Sequence, residues 1–160
     1  MPLGGSRGYA GAVRAAAYRA LVVVSLFHAA SAGGGGIGMV VADGLSMPKS
    51  LLADSPFSTY LLPGVILAVV VGGTQTLASV LLLRRAPSAF LWSAVAGFGM
   101  VIWIIAEIGF LHILSWSQMI YVVSGLLQLV LVFSLLGIVG WLPRESTVPR
   151  APALQRASPP

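Results

Sequence analysis

Four stretches of the chain, Ala20 to Ala42, Tyr60 to Leu83, Phe90 to Leu111 and Gln118 to Trp141, run for 22 to 24 residues each and hold one charged side chain among them, Glu107. Crossing about 30 Å of hydrocarbon takes about 20 mostly apolar residues at about 1.5 Å of rise each. Each stretch is apolar around its whole circumference, and a backbone in lipid has to satisfy its own hydrogen bonds, so each is expected to be a spanning helix. The expected fold is all-α and transmembrane: an antiparallel four-helix membrane bundle, both termini on the cytoplasmic side, with a short interfacial helix in the first outer loop. Around this four-span domain (20–142) lie a basic N-terminus (1–19) and a Pro/Arg-rich tail (143–160) whose composition predicts disorder.

The rest of the composition removes other classes. Charged residues make up 8% of the chain and hydrophobic ones 58%, against roughly 25% charged in soluble domains. A soluble globule, a disordered chain and a coiled coil all need more charge. With no cysteine, disulfides, thiolate metal sites and cysteine nucleophiles are excluded. The net charge of +5 comes from residues that flank the apolar runs and form no stripe. Nucleic acid is therefore not the expected partner; the bilayer is, with anionic lipid headgroups held through the arginines.

Those charges also give the spans a direction. Arg7, Arg14 and Arg19 precede span 1, Arg84 and Arg85 join spans 2 and 3, and Arg144, Arg150 and Arg156 follow span 4. The other two connections contain only Lys49. The positive-inside rule makes the arginine end cytoplasmic, so the expected location is a bacterial cytoplasmic membrane, crossed four times. Aromatic residues agree: Tyr18, Trp92 and Trp141 mark one interface and Tyr60, Trp116 and Tyr121 the other, with Trp103 alone in mid-span. One competing reading treats span 1 as a cleavable leader, with Ala30-Ser31-Ala32 before Gly33 as the processing site. The renewed hydrophobicity from Ile37 to Ala42 speaks for retention.

Within the one sizeable loop, Ser46-Met47-Pro48 before Lys49-Ser50-Leu51-Leu52 reads as a capped helical turn with Pro48 near its first position. Asp54-Ser55-Pro56-Phe57 then turns the chain back. In span 1, Ala30, Gly34, Gly38 and Ala42 recur every four residues as a small-residue packing ridge, and Ser25, Ala29 and Gly33 make a second one beside it. Either serves the bundle, a homo-oligomer or a membrane-protein partner. The four glycines in a row suggest a kink in span 1, and Pro63-Gly64 a helix break near the outer end of span 2.

Ionisable and amide side chains inside lipid are costly, which makes them the candidate functional positions. Glu107 is the sharpest. Counted along the helices, it shares its depth with Ser124 and lies near the Pro63-Gly64 amides and Tyr121, any of which it is expected to meet as a structural acceptor. His28 and Gln75 fall at one depth and are expected to bond across spans 1 and 2, while Gln128 counts as higher, near Trp103. His28 and His112 are too far apart in depth to ligate one haem. No residue pattern matches a catalytic constellation, a metal site or a cofactor site.

Ser55-Pro56-Phe57, Tyr60, Leu62-Pro63-Gly64 and Gly72-Gly73 resemble the corresponding stretch in a family of small four-span membrane proteins of high-GC bacteria. The likeness covers roughly residues 20 to 140. It implies a glycine-rich first span and an acidic position in span 3, matched by Glu107, and carries no activity. Small multidrug transporters share the span count, but their key Glu is in the first span and span 1 here has none. The function expected is a non-enzymatic structural or interaction component of the membrane; the alternative is a small transporter or channel, or a subunit of one, using Glu107 for proton or cation coupling.

The absence of native cysteine makes the topology directly testable. An impermeant thiol reagent should label a cysteine at Ser50 in intact cells and a cysteine at Ser88 only after permeabilisation.

Overall fold

A computed structural model of the chain describes residues 4–53, 55–111 and 115–138. The tail 143–160, Trp141, Asp54 and His112 lie outside the described residues. Four helices carry the fold: α1 (Gly4–Val41), α2 (Leu61–Leu83), α3 (Ala89–Leu111) and α4 (Trp116–Leu135). All four are long and apolar enough to cross a membrane. They pack in a ring in chain order, each against its sequence neighbours and α4 back against α1. The short connections on either side of α3 hold it antiparallel to α2 and α4.

Two helix ends differ from the expectation by more than two residues. α1 begins at Gly4 rather than near Ala20, because Ala10 to Ala20 is dominated by strong helix formers and contains no proline. It also runs unbroken through Gly33 to Gly36. At the other end of the chain, α4 stops at Leu135, six residues short of Trp141. Gly137 takes φ +75° while Ile138 N–H donates to Phe133 O and Gly137 N–H to Ser134 O. That is a Schellman stop, which needs a left-handed residue and so favours glycine.

Nor does α2 break at Pro63-Gly64. Pro63 sits in the first turn, where its missing N–H removes no helical bond, and the helix continues into a π-helical segment, Ile66–Gly72. The close approach of α1 and α2 happens along this stretch. A Cβ at Gly36 would lie 2.5 Å from Ala68 N and 2.6 Å from Gly64 O, and one at Gly72 would lie 2.9 Å from Gly33 N. The face of α1 that enters the bundle is therefore Leu21, Ser25, His28, Ala32 and Gly36. The expected ridge points away from it: Ala30, Gly34 and Ala42 are exposed, and Gly38 meets only Leu45. Both rows have three- or four-residue helical spacing, so spacing did not distinguish them.

Packing is stratified along the bundle axis. At the arginine end Leu21, Leu82, Ala89, Val132 and Leu135 form one apolar layer; towards the loop end Ala32, Val71, Met100 and Ile104 form another. Between them lie buried polar side chains.

The loop after α1 closes the far end. Asp43, Gly44, Leu45 and Ser46 all have positive φ, a left-handed turn that is costly for Leu45. At Gly44 glycine is required twice over, by φ +91° and by the Tyr60 ring, which an added Cβ would meet at 2.2 Å. The expected helical turn is present as a 3₁₀ turn, Lys49–Leu52, but Pro48 is its N-cap and no side chain caps it. Tyr60 is buried and donates from its hydroxyl to Pro48 O at 2.8 Å. Burial, helped by the Asp43 carboxylate, raises that hydroxyl above the ordinary phenol range, so it remains a donor. The Lys49–Asp43 ion pair at 3.0 Å is exposed on both sides and contributes little.

Gly36→Ala should lower stability by about 1–3 kcal/mol through overpacking. Gly34→Ala, where a Cβ meets nothing within 4 Å, should raise it by roughly 0.5–1 kcal/mol. Thermal unfolding of the two variants in detergent checks both signs.

Candidate functional site

The polar layer is a closed set of hydrogen bonds. Gln75 and Gln128 face each other across the bundle as an amide pair: Gln75 Nε2 donates to Gln128 Oε1 and Gln128 Nε2 to Gln75 Oε1, both at 3.1 Å. The second proton of each amide goes to α3, Gln75 to Ala96 O at 3.1 Å and Gln128 to Ser93 O at 3.0 Å. His28 completes the set, with Nδ1 2.9 Å from Gln128 Oε1 and Nε2 2.7 Å from Ser124 Oγ. One assignment of protons satisfies every member of the neutral network: Nδ1–H donates to Gln128 Oε1 and Ser124 O–H donates to Nε2. His28, Gln75 and Gln128 are all fully buried.

The pairing of His28 with Gln75 was expected, and the two do approach, with Gln75 Nε2 3.3 Å from His28 Nδ1. Gln128 and Ser124 were expected nearer the outer end, and here the structure corrects the sequence. Counting depth from Trp141 places every α4 residue too far outward; ending α4 at Leu135 moves them inward by about 9 Å. Gln128 then falls level with His28 and Gln75. Ser124 lies beside His28 rather than beside Glu107.

Above this layer, beneath the loop, a partly enclosed cavity of about 220 Å³ draws on all four helices. Its apolar walls include Met39, Met47, Met100, Leu52 and Phe57, and its polar groups include Tyr60, Trp103, Glu107, Gln118 and Tyr121. A water occupies about 30 Å³, so the space suits several waters or one small molecule. Phe57 meets Phe110 edge to face at 5.7 Å. Tyr121 stacks on Phe27 at 5.8 Å, and its ring lies 6.3 Å from that of His28. Tyr121 thus joins the cavity floor to the buried network.

Glu107 stands in the cavity wall, with a partner different from those expected. Its Oε1 accepts from Gln118 Nε2 at 3.2 Å. Neither the Pro63-Gly64 amides nor Tyr121 nor Ser124 bonds to it: Gly64 N–H donates to Tyr60 O, within the first turn of α2. Trp103, one turn away on the same face of α3, brings Nε1 towards the carboxyl without reaching hydrogen-bond geometry, so this buried N–H has no partner among the described residues. Among the described residues, Glu107 Oε2 accepts no hydrogen bond.

Gln118 was not among the candidate positions. Ser115 caps α4 by accepting from Gln118 N–H, and Gln118 Oε1 accepts in return from Ser115 N–H. This capping box holds the amide oxygen on the helix end and leaves Nε2 for Glu107. The Ser-x-x-Gln spacing at 115–118 was a readable signal for both the helix start and this orientation. Ser25 Oγ, also missed, is buried without a partner.

Comparisons with protein-family models, curated proteins and solved structures find no match to the chain. The site is therefore interpreted from its chemistry.

Replacing Gln75 or Gln128 singly with Leu should cost about 1–2 kcal/mol, because each change strands the other amide. The double replacement should cost less than the sum. Unfolding of the three variants in the same detergent measures the coupling.

Proposed function

We propose that this protein is a non-enzymatic component of a bacterial cytoplasmic membrane that binds a small amphipathic cation, an amine or quaternary ammonium, in the cavity around Glu107. The observation that carries the proposal is a single carboxyl group with one free oxygen, set in a cavity walled by Trp103, Tyr121, Tyr60 and Phe57. A carboxylate removed from water needs an opposite charge or several donors, and Gln118 supplies one. An organic cation supplies the charge, and its alkyl or aryl surface fits the aromatic and methionine walls. Aromatic faces attract such cations further, by about 0.5–2 kcal/mol each.

The bundle below the cavity supports binding rather than conduction. The network of His28, Gln75, Gln128 and Ser124 has its hydrogen bonds filled internally. Beneath it Leu21, Leu82 and Val132 are fully buried in an apolar layer. Transport, the alternative, requires both layers to open. The bacterial setting rests on the arginine-rich composition and on the resemblance in residues 55 to 73; the orientation rests on the positive-inside bias.

Trp103 provides the assay, since its indole lines the cavity. Benzyltrimethylammonium should change the intrinsic fluorescence saturably and bind at least tenfold more tightly than neopentylbenzene, its neutral isostere. Glu107→Gln should remove that preference, as expected for loss of a charged partner worth about 1.5–3 kcal/mol. Equal binding of the two compounds to the native chain overturns the proposal.

A further inference from the structure

A second cavity, of about 440 Å³, lies at the arginine end, where α1, the α2–α3 turn, the start of α3 and the end of α4 meet. Three arginines line this open groove, Arg14, Arg19 and Arg85, together with Phe90 and Leu135. The acids among the described residues, Asp43 and Glu107, belong to the opposite end. Among the described residues, three like charges thus share one space with no carboxylate beside them.

One of the three arginines is tied to the bundle, while Arg19 and Arg85 are exposed. Arg14 Nη2 donates to Leu135 O at 3.3 Å, a carbonyl in the last turn of α4. Tyr18, one turn along α1 and also in the cavity wall, donates to Leu82 O at 2.6 Å. α3 starts in the wall with Ala89 and Phe90, which brings the positive end of its dipole to the same space.

Arg85 supplies an independent observation. α2 ends in the same motif as α4: Ala86 N–H donates to Leu81 O and Arg85 N–H to Leu82 O, as Ile138 and Gly137 donate at the end of α4. The left-handed position is Gly137 in one helix and Arg85, at φ +51°, in the other. Glycine is the residue this position favours, and a side chain there costs roughly 1 kcal/mol. The chain carries an arginine where the backbone alone would select glycine, and that arginine lines the cavity.

We propose that this pocket binds the phosphate of an anionic lipid between Arg14, Arg19 and Arg85, with the acyl chains along Phe90 and Leu135. Guanidinium forks match phosphate oxygens in pairs, and basic pockets between spans at the cytoplasmic face are suited to such headgroups. The apolar part of the wall, at the depth where the helices end, suits a lipid over a soluble anion.

Native mass spectrometry of the full chain from mild detergent, with phosphatidylglycerol or phosphatidylcholine added, tests the pocket. The native chain should retain phosphatidylglycerol preferentially, and Arg85→Gly should weaken that retention about fivefold. Since glycine suits the left-handed position, Arg85→Gly should unfold in phosphatidylcholine at the same temperature as the native chain or higher, which separates lost binding from lost fold. Arg84→Ala removes the same charge from the same turn, but Arg84 does not line the cavity, and this variant should retain the lipid. Equal retention of both lipids, an unchanged Arg85→Gly or an Arg84→Ala as weak as Arg85→Gly overturns the proposal. Release of the lipid by excess inorganic phosphate assigns the pocket to a soluble anion and overturns it as well.

Discussion

A polar side chain inside lipid has nowhere to turn but to another polar group of the protein, and the layer of His28, Gln75, Gln128 and Ser124 is organised by that constraint. Each amide has two protons to place, and each places one on the other amide and one on an α3 carbonyl. This arrangement requires α2 and α4 to present their glutamines at one depth across the bundle, with α1 rotated to bring His28 to the same level. Rotation and axial offset of the helices are thereby tied together. Apolar packing alone specifies them less sharply, because leucine and valine contacts tolerate sliding and lipid tails compete for them.

The small residues of α1 and α2 make this geometry reachable. Gly36 against Gly64 and Ala68, and Gly33 against Gly72, bring the two backbones within a distance that a single Cβ would prevent. Towards the loop end the helices leave space rather than fill it. Leu52 and Phe57 of the loop cover that space, and the Tyr60–Pro48 hydrogen bond holds the loop down over it. A cavity with Glu107 in its wall is the consequence of a bundle drawn tight at its polar layer and capped by a loop at its end.

Much of this was legible in residue order, and the shortfalls have specific causes. Length and apolarity identified four spans, and Glu107, His28, Gln75 and Gln128 stood out because any polar group in such a span stands out. Depth, by contrast, was misjudged wherever a helix end was. Gly137 and the Ser115-x-x-Gln118 box both carried the true bounds of α4, but the hydrophobic run continued to Trp141 and outweighed them. Pro63 resembled a break because proline usually is one; in a first turn it disturbs nothing. For α1, the two small-residue rows read from spacing both omitted Gly36, and only the presence of α2 beside Gly36 and Gly33 shows which face is used.

By itself, the sequence determined the solvent this protein is built for, the number of its spans, and the short set of polar residues that lipid makes expensive. These follow from transfer free energy, which each residue carries independently of its neighbours in space. Tertiary structure decided which of those polar residues meet. Gln128 joins His28 rather than the level of Trp103, Ser124 joins His28 rather than Glu107, Glu107 takes Gln118 as its partner, and three arginines from α1 and the α2–α3 turn line one cavity. Such pairings depend on where each helix stops and which way it faces, and both are settled by contacts between segments far apart in the chain.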